Sequence, residues 1–269
     1  MNKTWFITGA GRGFGKEFAR AALDRGDRVA ATARNTDTLA DLVSEYGDLI
    51  TPIVLDVTDR GQVFAAVEKA EEALERIDVV VNNAGYGLFG MVEEITDQQL
   101  RDQLEVNLFG VLHVTQAVLP ILRAQGDGHI IQISTIGGIA AFPGLGGYHA
   151  SKWALEGLSE SLAQEVAGFG IKVTIVEPGP YSTDWAGDSA VHTEHQPQYA
   201  AFRSAGSGMQ AVVGNPKAAG PALLKVVDAD EPPLRVLFGT MPTQIAPHIY
   251  NTRLATWDAW NDLSIEANG

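Results

Sequence analysis

The sequence of 269 residues contains no cysteine. This absence excludes disulfide bonds, thiolate nucleophiles and metal sites built on cysteine. The sequence also lacks a continuous apolar run of the roughly 18 residues that a membrane span requires. Its first residues enter a predicted strand at once, which leaves no room for a signal peptide. These features predict a cytoplasmic protein without a membrane partner.

Positive charge is also scarce. The chain has 19 Lys and Arg residues against 33 Asp and Glu residues, for a formal net charge of −14. An acidic surface repels phosphate backbones, so we expect no nucleic-acid partner. Any anionic ligand must instead be held by a few local cations or by backbone N–H groups. The six histidines do not have the spacing of zinc ligands, and we expect no metal.

The chain is built as a regular alternation of short apolar runs and amphipathic stretches. The strand candidates are apolar on both faces, which is typical of a parallel sheet covered by helices on both sides. This order predicts a doubly wound, Rossmann-type α/β fold of about seven strands, in a single domain over residues 1–269. The strand candidates are residues 4–8, 28–33, 50–57, 77–85, 129–134, 171–178 and 233–239. The helix candidates are residues 13–25, 36–46, 59–75, 97–123 with Asp97 as the cap, 148–168, 215–229 and 243–262.

The first strand candidate ends in the glycine-rich stretch TGAGRGFG, residues 8–15. Glycines let the backbone turn tightly and approach a pyrophosphate, and the helix that follows directs its N–H groups and its dipole at the anion. The spacing is not G-x-G-x-x-G, because Phe14 stands where the third glycine would be. Ala10 and Glu17 exclude a Walker loop. The stretch therefore predicts an anion-binding turn of another type, at the edge of the sheet where ligands bind.

Tyr148 and Lys152 stand four residues apart at the start of a predicted helix, so they share one helix face. A free tyrosine has a pKa of about 10 and is a poor base at neutral pH. A nearby ammonium group favours the phenolate and lowers that pKa. A pKa closer to the working pH makes a better general acid and base. The pair therefore predicts proton transfer by Tyr148, with Lys152 tuning it.

Five motifs follow one another in the order and spacing of the short-chain dehydrogenases/reductases, a family that this chain resembles. They are T-G-x-x-x-G-x-G at 8–15, NNAG at 82–85, Asn107 within LEVNLFG, Y-x-x-x-K at 148–152 and Pro178-Gly179. The resemblance covers about residues 1–185 and is looser beyond them. It implies an oxidoreductase that transfers hydride between a nicotinamide cofactor and a secondary alcohol or ketone. It also implies a homodimer or homotetramer formed through the two long helices.

The resemblance assigns roles to individual residues. Tyr148 passes a proton to or from the substrate oxygen, Lys152 bonds the nicotinamide ribose, and Asn107 bends its helix and holds a water in a proton relay to Lys152. Asp56 matches the residue that bonds the adenine amino group. Cofactor contacts are implied for Thr8, Gly9, Gly11, Arg12, Gly13, Phe14, Gly15, Arg34, Asp56, Val57, Asn83, Ala84, Gly85, Tyr148, Lys152, Pro178, Gly179 and Thr183.

The hydroxyl group that would polarise the substrate carbonyl has two candidates. The family places a serine 13 residues before the tyrosine, and here that position is Thr135, with Ser134 beside it. Consecutive side chains of a strand face opposite ways, so both cannot point into the cleft if the strand continues. We predict that Thr135 is the donor that steadies a developing oxyanion. Ser134 remains the alternative if the strand ends at that residue.

The cofactor preference depends on two arginines. Many NAD-binding proteins place an acidic residue at the end of the second strand, where this chain has Ala33 followed by Arg34. Arg12 lies inside the glycine turn. Two guanidinium groups near the adenosine ribose suit a 2′-phosphate and favour NADP(H). The alternative is that either arginine is only a solvated surface charge.

The segment after Pro178-Gly179 is a predicted substrate lid at about residues 185–214. Tyr181 and Trp185 either line an apolar pocket for a small alcohol or carbonyl substrate or simply pack the lid. The residues do not specify which substrate. A regulatory protein that senses NADP(H) without turnover is the alternative function. An epimerase or dehydratase would usually carry a longer carboxyl-terminal domain.

Overall fold

The structure is a computed structural model that describes residues 2–187, 189–206 and 213–269. Its strands are β1 Thr4–Ile7, β2 Arg28–Ala33, β3 Ile50–Val54, β4 Val79–Asn82, β5 Leu88–Phe89, β6 Gly128–Ile133, β7 Ile171–Pro178, β8 Val191–His192 and β9 Arg235–Phe238. Its helices are α1 Gly13–Asp24, α2 Ala40–Tyr46, α3 Arg60–Leu74, α4 Asp97–Leu104, α5 Gly110–Gln125, α6 Gly146–Val166, α7 Ala200–Gly206, α8 Ala219–Val227, α9 Thr240–Ala259 and α10 Asn261–Glu266.

Seven of these strands form one parallel sheet in the order β3-β2-β1-β4-β6-β7-β9. The order reverses direction between β1 and β4, which is where ligands bind in doubly wound sheets. The predicted Rossmann-type α/β fold is thus confirmed. β5 and β8 form a separate two-stranded parallel sheet that the sequence did not reveal.

The core lies on both faces of the sheet. Trp5, Ile7 and Val79 pack with apolar residues of α1, α2 and α8 on one face. Phe6 and Val80, which alternate with them, pack with α3 and α5 on the other face. Side chains of a strand point alternately to opposite faces, so burial of consecutive residues requires a helix layer on each side.

Several predicted boundaries are wrong in detail. Thr96, not Asp97, caps α4, because its hydroxyl accepts the N–H of Gln99 while the Gln99 side chain accepts the N–H of Thr96. The long helix predicted at 97–123 is also not continuous, since a π-helical segment, Glu105–Phe109, separates α4 from α5. Strands β3 and β4 end before the predicted 57 and 85. The helix predicted at 243–262 starts at Thr240 as α9 and gives way to α10.

The segment Asp97–Gln125 is long and apolar enough to cross a membrane, judged by length and composition alone. Phe109 of this segment is exposed, but Val114, Val118 and Leu122 are buried in the core beside the sheet. That is the environment of a core helix. The sequence prediction concerned continuous apolar runs, and this segment is interrupted by polar residues such as Asn107 and Gln116.

The predicted lid at 185–214 is described in part. It contains a 3₁₀ turn at Asp184–Ala186, strand β8, a second 3₁₀ turn at Pro197–Tyr199 and helix α7. Residues 188 and 207–212 of the predicted lid lie outside the described residues.

Candidate active site

Side-chain hydrogen bonds tie the carboxyl ends of β1 and β4 together. The Thr8 hydroxyl accepts the N–H groups of Asn83, at 2.9 Å, and Ala84, at 3.0 Å. The Asn83 side-chain amide donates in return to the carbonyl oxygens of Thr8 and Gly9, at 2.9 and 3.1 Å. The predicted cofactor residues of two distant motifs therefore meet at the point where the strand order reverses.

The glycine turn has a shape that larger residues could not adopt. Gly9 and Gly13 have φ of +64° and +55°, in the left-handed region that favours glycine. A Cβ on Gly15 would lie 2.4 Å from both Asn83 Nδ2 and the Gly9 oxygen. The backbone is thus kept bare at the start of α1, whose N-cap residue Arg12 makes no side-chain cap. A bare turn at an uncapped helix start fits the pyrophosphate of a dinucleotide.

The two arginines of the cofactor prediction lie in different surroundings. Arg12 pairs with Asp184 of the lid at 2.9 Å, and both side chains are exposed. Arg34 is exposed, and its side chain has no hydrogen bond or ion pair to any described residue. The structure therefore leaves the Arg34 guanidinium available to a ligand. Thr38 also lies beside the glycine turn, since a Cβ on Gly11 would be 2.3 Å from the Thr38 hydroxyl oxygen.

Tyr148 lies at the start of α6 and is 7% exposed. Burial raises the pKa of its phenol above the usual 10, and a hydrogen bond with Thr135 acts in the opposite direction. The tuning of the Tyr148 pKa by Lys152 stays a prediction, and it has to act against the desolvation of the phenol. Lys152 Nζ lies 6.0 Å from the centre of the tyrosine ring.

Thr135 and Ser134 point to different sides, as the alternation of a strand predicts. The Thr135 hydroxyl lies against Tyr148, donates to the Pro178 oxygen at 3.3 Å and accepts the N–H of Gly137 at 3.2 Å. Its single proton can serve Tyr148 or Pro178, but not both at once. Ser134 is buried and faces Glu156 instead. The assignment of Thr135 as the donor stays a prediction, but it is Thr135 that meets Tyr148.

Lys152 is 6% exposed, and its ammonium donates to the Ile133 carbonyl oxygen at 2.8 Å. Burial lowers the pKa of this lysine to about 8, while the charge of Glu156 raises it. Asn107 is fully buried in the π-helical segment, where the sequence predicted a bent helix. Its amide donates to the Tyr86 oxygen and to the Ser151 hydroxyl, both at 3.1 Å.

Asn107 and Lys152 approach each other at Gly85. A Cβ on Gly85 would lie 3.0 Å from Asn107 Oδ1 and 3.7 Å from Lys152 Nζ. The NNAG turn, the π-helical segment that contains Asn107 and the helix α6 that contains Tyr148 thus meet at Gly85. The water relay between Asn107 and Lys152 stays a prediction.

The lid contributes Trp185 to this place. The Trp185 ring lies 4.9 Å from the ring of Tyr148 and 4.9 Å from that of Phe89, and His192 stacks on Phe89 at 5.0 Å. Tyr181 packs edge-on against Phe14 at 4.8 Å, behind the glycine turn. Of the two predicted pocket residues, Trp185 is therefore the one that contacts Tyr148.

The remaining predicted cofactor residues line the same edge of the sheet. Thr183 lies beside Gly13, whose added Cβ would be 3.8 Å from the threonine side chain. The Asp56 carboxylate accepts from the N–H and hydroxyl of Thr58, at 3.0 and 2.8 Å, so it shapes its own turn. Val57 packs against Gly110 on the neighbouring helix.

Sequence reasoning missed several residues around this site. Glu156 follows Lys152 by one helical turn, and the same spacing argument that joined Tyr148 to Lys152 could have found it. Phe89 and Ser151 carry no motif of their own. Glu94 is buried and accepts hydrogen bonds from the Gln196 N–H at 2.7 Å, the Thr193 hydroxyl at 3.2 Å and the Arg203 guanidinium. It anchors the lid through contacts about 100 residues away in sequence.

The chain is similar to known oxidoreductases over most of its length. The family model of the short chain dehydrogenases matches residues 3–194. An oxidoreductase from Botryotinia fuckeliana, BOA17, is 45% identical over 98% of this chain and 99% of its own length. A short-chain dehydrogenase from Streptomyces avermitilis has a crystal structure with a TM-score of 0.91 and 39% identity, over 99% of this chain and 98% of that one.

Two further structures contain a nicotinamide cofactor. A short-chain dehydrogenase from Burkholderia cenocepacia in complex with NADP has a TM-score of 0.78 and 27% identity, over 96% of this chain and 97% of that one. A relative from Burkholderia phymatum in complex with NAD has a TM-score of 0.76 and 25% identity, over 99% and 95%. With the family model and a relative 45% identical over nearly the whole length, this chain is an oxidoreductase of the short-chain dehydrogenase family.

Proposed function

We propose that this oxidoreductase uses NADP(H) to interconvert a secondary alcohol and the corresponding ketone, with Tyr148 as the proton carrier. The observation that carries this proposal is the meeting of Tyr148, Thr135, Lys152 and Asn107 near Gly85 of the NNAG turn. A bound nicotinamide would supply or accept the hydride. The chain's own residues must then move one proton and stabilise charge on the substrate oxygen.

Tyr148 would donate that proton to the oxygen when a ketone is reduced and remove it when an alcohol is oxidised. Burial raises the pKa of the phenol, so Tyr148 carries its proton before turnover but gives it up only with the help of a nearby cation. The Thr135 hydroxyl, which lies against the phenol, would donate a hydrogen bond to the same oxygen as negative charge develops there. The Lys152 ammonium would favour the phenolate once the proton has left.

The preference for NADP(H) is supported by the surroundings of the predicted adenosine end. Ala33 supplies no carboxylate for a ribose 2′-hydroxyl, and the exposed Arg34 guanidinium follows it. Arg12 lies in the glycine turn and pairs with Asp184 in an exposed contact. An exposed ion pair is weak, so a phosphate could replace the carboxylate at little cost. Related structures contain either cofactor, so the arginines rather than the relatives support this preference.

The experiment is a screen of ketones with NADPH and of secondary alcohols with NADP⁺. Turnover is monitored by the absorbance of the reduced nicotinamide, which falls in the first case and rises in the second. Turnover of at least one pair in both directions is expected. The same pairs with NADH and NAD⁺ measure the preference. Tight binding of NADPH without turnover of any compound would contradict the enzyme proposal and favour the regulatory alternative.

A further inference from the structure

Two buried carboxylates lie on α6 and β7, beyond the groups that meet Tyr148. Glu156 of α6 is 4% exposed and Glu177 of β7 is 2% exposed. Both pair with the Arg235 guanidinium of β9, Glu177 at 3.0 Å and Glu156 more closely still. Glu160 reaches the same guanidinium from the surface at 2.8 Å. Three carboxylates therefore share one cation.

One guanidinium cannot neutralise two buried carboxylates. A buried charge without a partner is strongly unfavourable. Lys152 lies one helical turn before Glu156, and both belong to the buried face of α6. When both carboxylates are ionised, the buried charges balance if the Lys152 ammonium is counted, as Glu156 and Glu177 against Arg235 and Lys152. Glu160 is mostly exposed and can be solvated by water.

The same helix face meets the end of β6 at three consecutive residues. The Lys152 ammonium donates to the Ile133 oxygen, the Ser134 hydroxyl faces Glu156, and the Thr135 hydroxyl lies against Tyr148. Ser134 Oγ and Glu156 Oε1 also flank the same point, 2.5 and 2.7 Å from a Cβ placed on Gly138. Glu156 is thus joined to the reacting groups through the helix and through the strand end.

We propose that Glu156 is a positioning residue for the reaction, whose carboxylate, fixed by Arg235, keeps Lys152 protonated and held at the end of β6. This inference rests on the proposed function, in which the positive charge of Lys152 acts beside Tyr148. Glu156 itself does not touch the reacting atoms. It acts through Lys152.

The charge environment gives the sign of the effect. Burial lowers the pKa of Lys152 to about 8, and the carboxylate of Glu156 opposes that lowering. Burial raises the pKa of Glu156, while the Ser134 hydroxyl and Arg235 lower it. Burial also raises the pKa of Glu177 to about 7. The titratable and charged groups that face the Lys152–Glu156 pair are Tyr148 on the same helix, Glu177 in β7 and Arg235 in β9, with Glu160 at the rim.

Removing the charge of Glu156 should therefore let Lys152 lose its proton at a lower pH. An opposite charge within about 4–6 Å changes a pKa by about one to three units. The test is the Lys152 titration, followed by NMR of ¹³C-labelled lysine in the protein without added cofactor. Lys152→Arg identifies the resonance. In Glu156→Gln we expect the Lys152 pKa to fall by about one unit, and the limb of the kcat/KM profile that depends on Lys152 to move with it.

The matched control is Glu160→Gln, which removes another carboxylate partner of Arg235 from the same helix but at the surface. It should leave the Lys152 titration in place. Glu156→Asp keeps the negative charge on a side chain that is shorter by one methylene, so the charge lies farther from Lys152. The pKa of Lys152 in this variant should lie between its values in wild type and in Glu156→Gln. If Glu156→Gln does not fold, the comparison of Glu156→Asp with wild type carries the test.

A Lys152 titration that is unchanged in a folded Glu156 variant overturns the inference, even if the enzyme reduces ketones. An equal shift in Glu160→Gln overturns it as well. Conversely, a Glu156-dependent shift in a protein that turns over no ketone or alcohol supports the charge relationship and contradicts the proposed function. The NMR titration does not depend on turnover, so the two failures are distinct.

Discussion

The Lys152 ammonium lies 2.8 Å from the Ile133 carbonyl oxygen, two residues before Thr135 on the same strand end. A helix and a strand are thereby fixed to each other at the point where Tyr148 meets Thr135. The lysine has a structural anchor of its own, in addition to the charge that it places near the phenol. Its long side chain is consequently held in one position, which a catalytic charge requires.

Tyr148→Phe should abolish most turnover without unfolding the protein. The substitution removes one hydroxyl and leaves a ring that packs against Trp185. General acid–base catalysis contributes about 10²- to 10⁴-fold, so kcat should fall by that order. Steady-state kinetics, with NADPH binding and thermal unfolding as controls, measure the effect. Appreciable residual turnover would show that another group delivers the proton.

Thr135→Val and Ser134→Ala separate the two hydroxyl candidates. Valine nearly keeps the shape of threonine and removes the hydroxyl that lies against Tyr148, so kcat should fall by about 10²- to 10³-fold. Ser134→Ala removes a hydroxyl that faces Glu156 and should cost much less. Thr135→Ser is the positive control and should stay near wild type. A reversed ranking would mean that Ser134 is the donor.

Arg34→Ala should weaken the binding of NADPH and leave the binding of NADH nearly unchanged. A hydrogen bond to a charged group contributes about 1.5–3 kcal/mol, which corresponds to about 10- to 100-fold in Kd. Only NADPH carries the 2′-phosphate, so NADH titrated against the same variant is the internal control. Fluorescence titration at fixed salt measures both. Equal weakening of the two cofactors would place Arg34 elsewhere in the binding site.

Glu94→Gln should loosen the lid. The carboxylate of Glu94 accepts hydrogen bonds from Thr193, Gln196 and Arg203. The glutamine side chain replaces one of the two accepting oxygens by an NH₂ group, which donates hydrogen bonds and leaves these donors without a partner. Hydrogen–deuterium exchange across residues 193–203 should accelerate. The control is Glu93→Gln, because the exposed Glu93 carboxylate accepts only from the Tyr199 hydroxyl among the described residues. Unchanged exchange in Glu94→Gln would show that the strand pairing alone holds the lid.

The same anchor has a defined pH dependence. The Arg203 guanidinium lowers the pKa of Glu94 to about 2, against an ordinary value of 4.5. A carboxyl whose folded pKa is depressed stabilises the fold fully above its ordinary pKa, and that contribution is lost as the pH falls toward the folded value. The protection of lid amides, measured relative to their intrinsic exchange rates at each pH, should therefore be constant above about pH 5 and fall between pH 4.5 and 2 in wild type. Glu94→Gln should lose most of that dependence.

The sequence was sufficient for the fold because the apolar runs and the helix patterns alternate without interruption. It also predicted Tyr148 and Lys152 at a helix start, and the resemblance implied a bent helix at Asn107, where the structure has a π-helical segment. It could not reveal Arg235 beside Glu156, 79 residues away, or Arg203 beside Glu94, 109 residues away. Such pairs are set by the packing of distant elements, and no local spacing encodes them.

Local chemistry was insufficient in two places. Asp97 and Thr96 are both good helix caps, and only the reciprocal bonds with Gln99 decide between them. Burial raises the pKa of the Tyr148 phenol, and no sequence pattern reports how deeply a helix start is covered.

The most direct test of the account is the fate of deuterium from the nicotinamide. A ketone that is turned over should be reduced with NADPH carrying deuterium at the transferable position of C4, and the alcohol analysed by mass spectrometry. The account predicts one deuterium on the carbinol carbon with wild-type enzyme, and almost no product with Tyr148→Phe. An alcohol formed without deuterium, or at an undiminished rate by Tyr148→Phe, would contradict it.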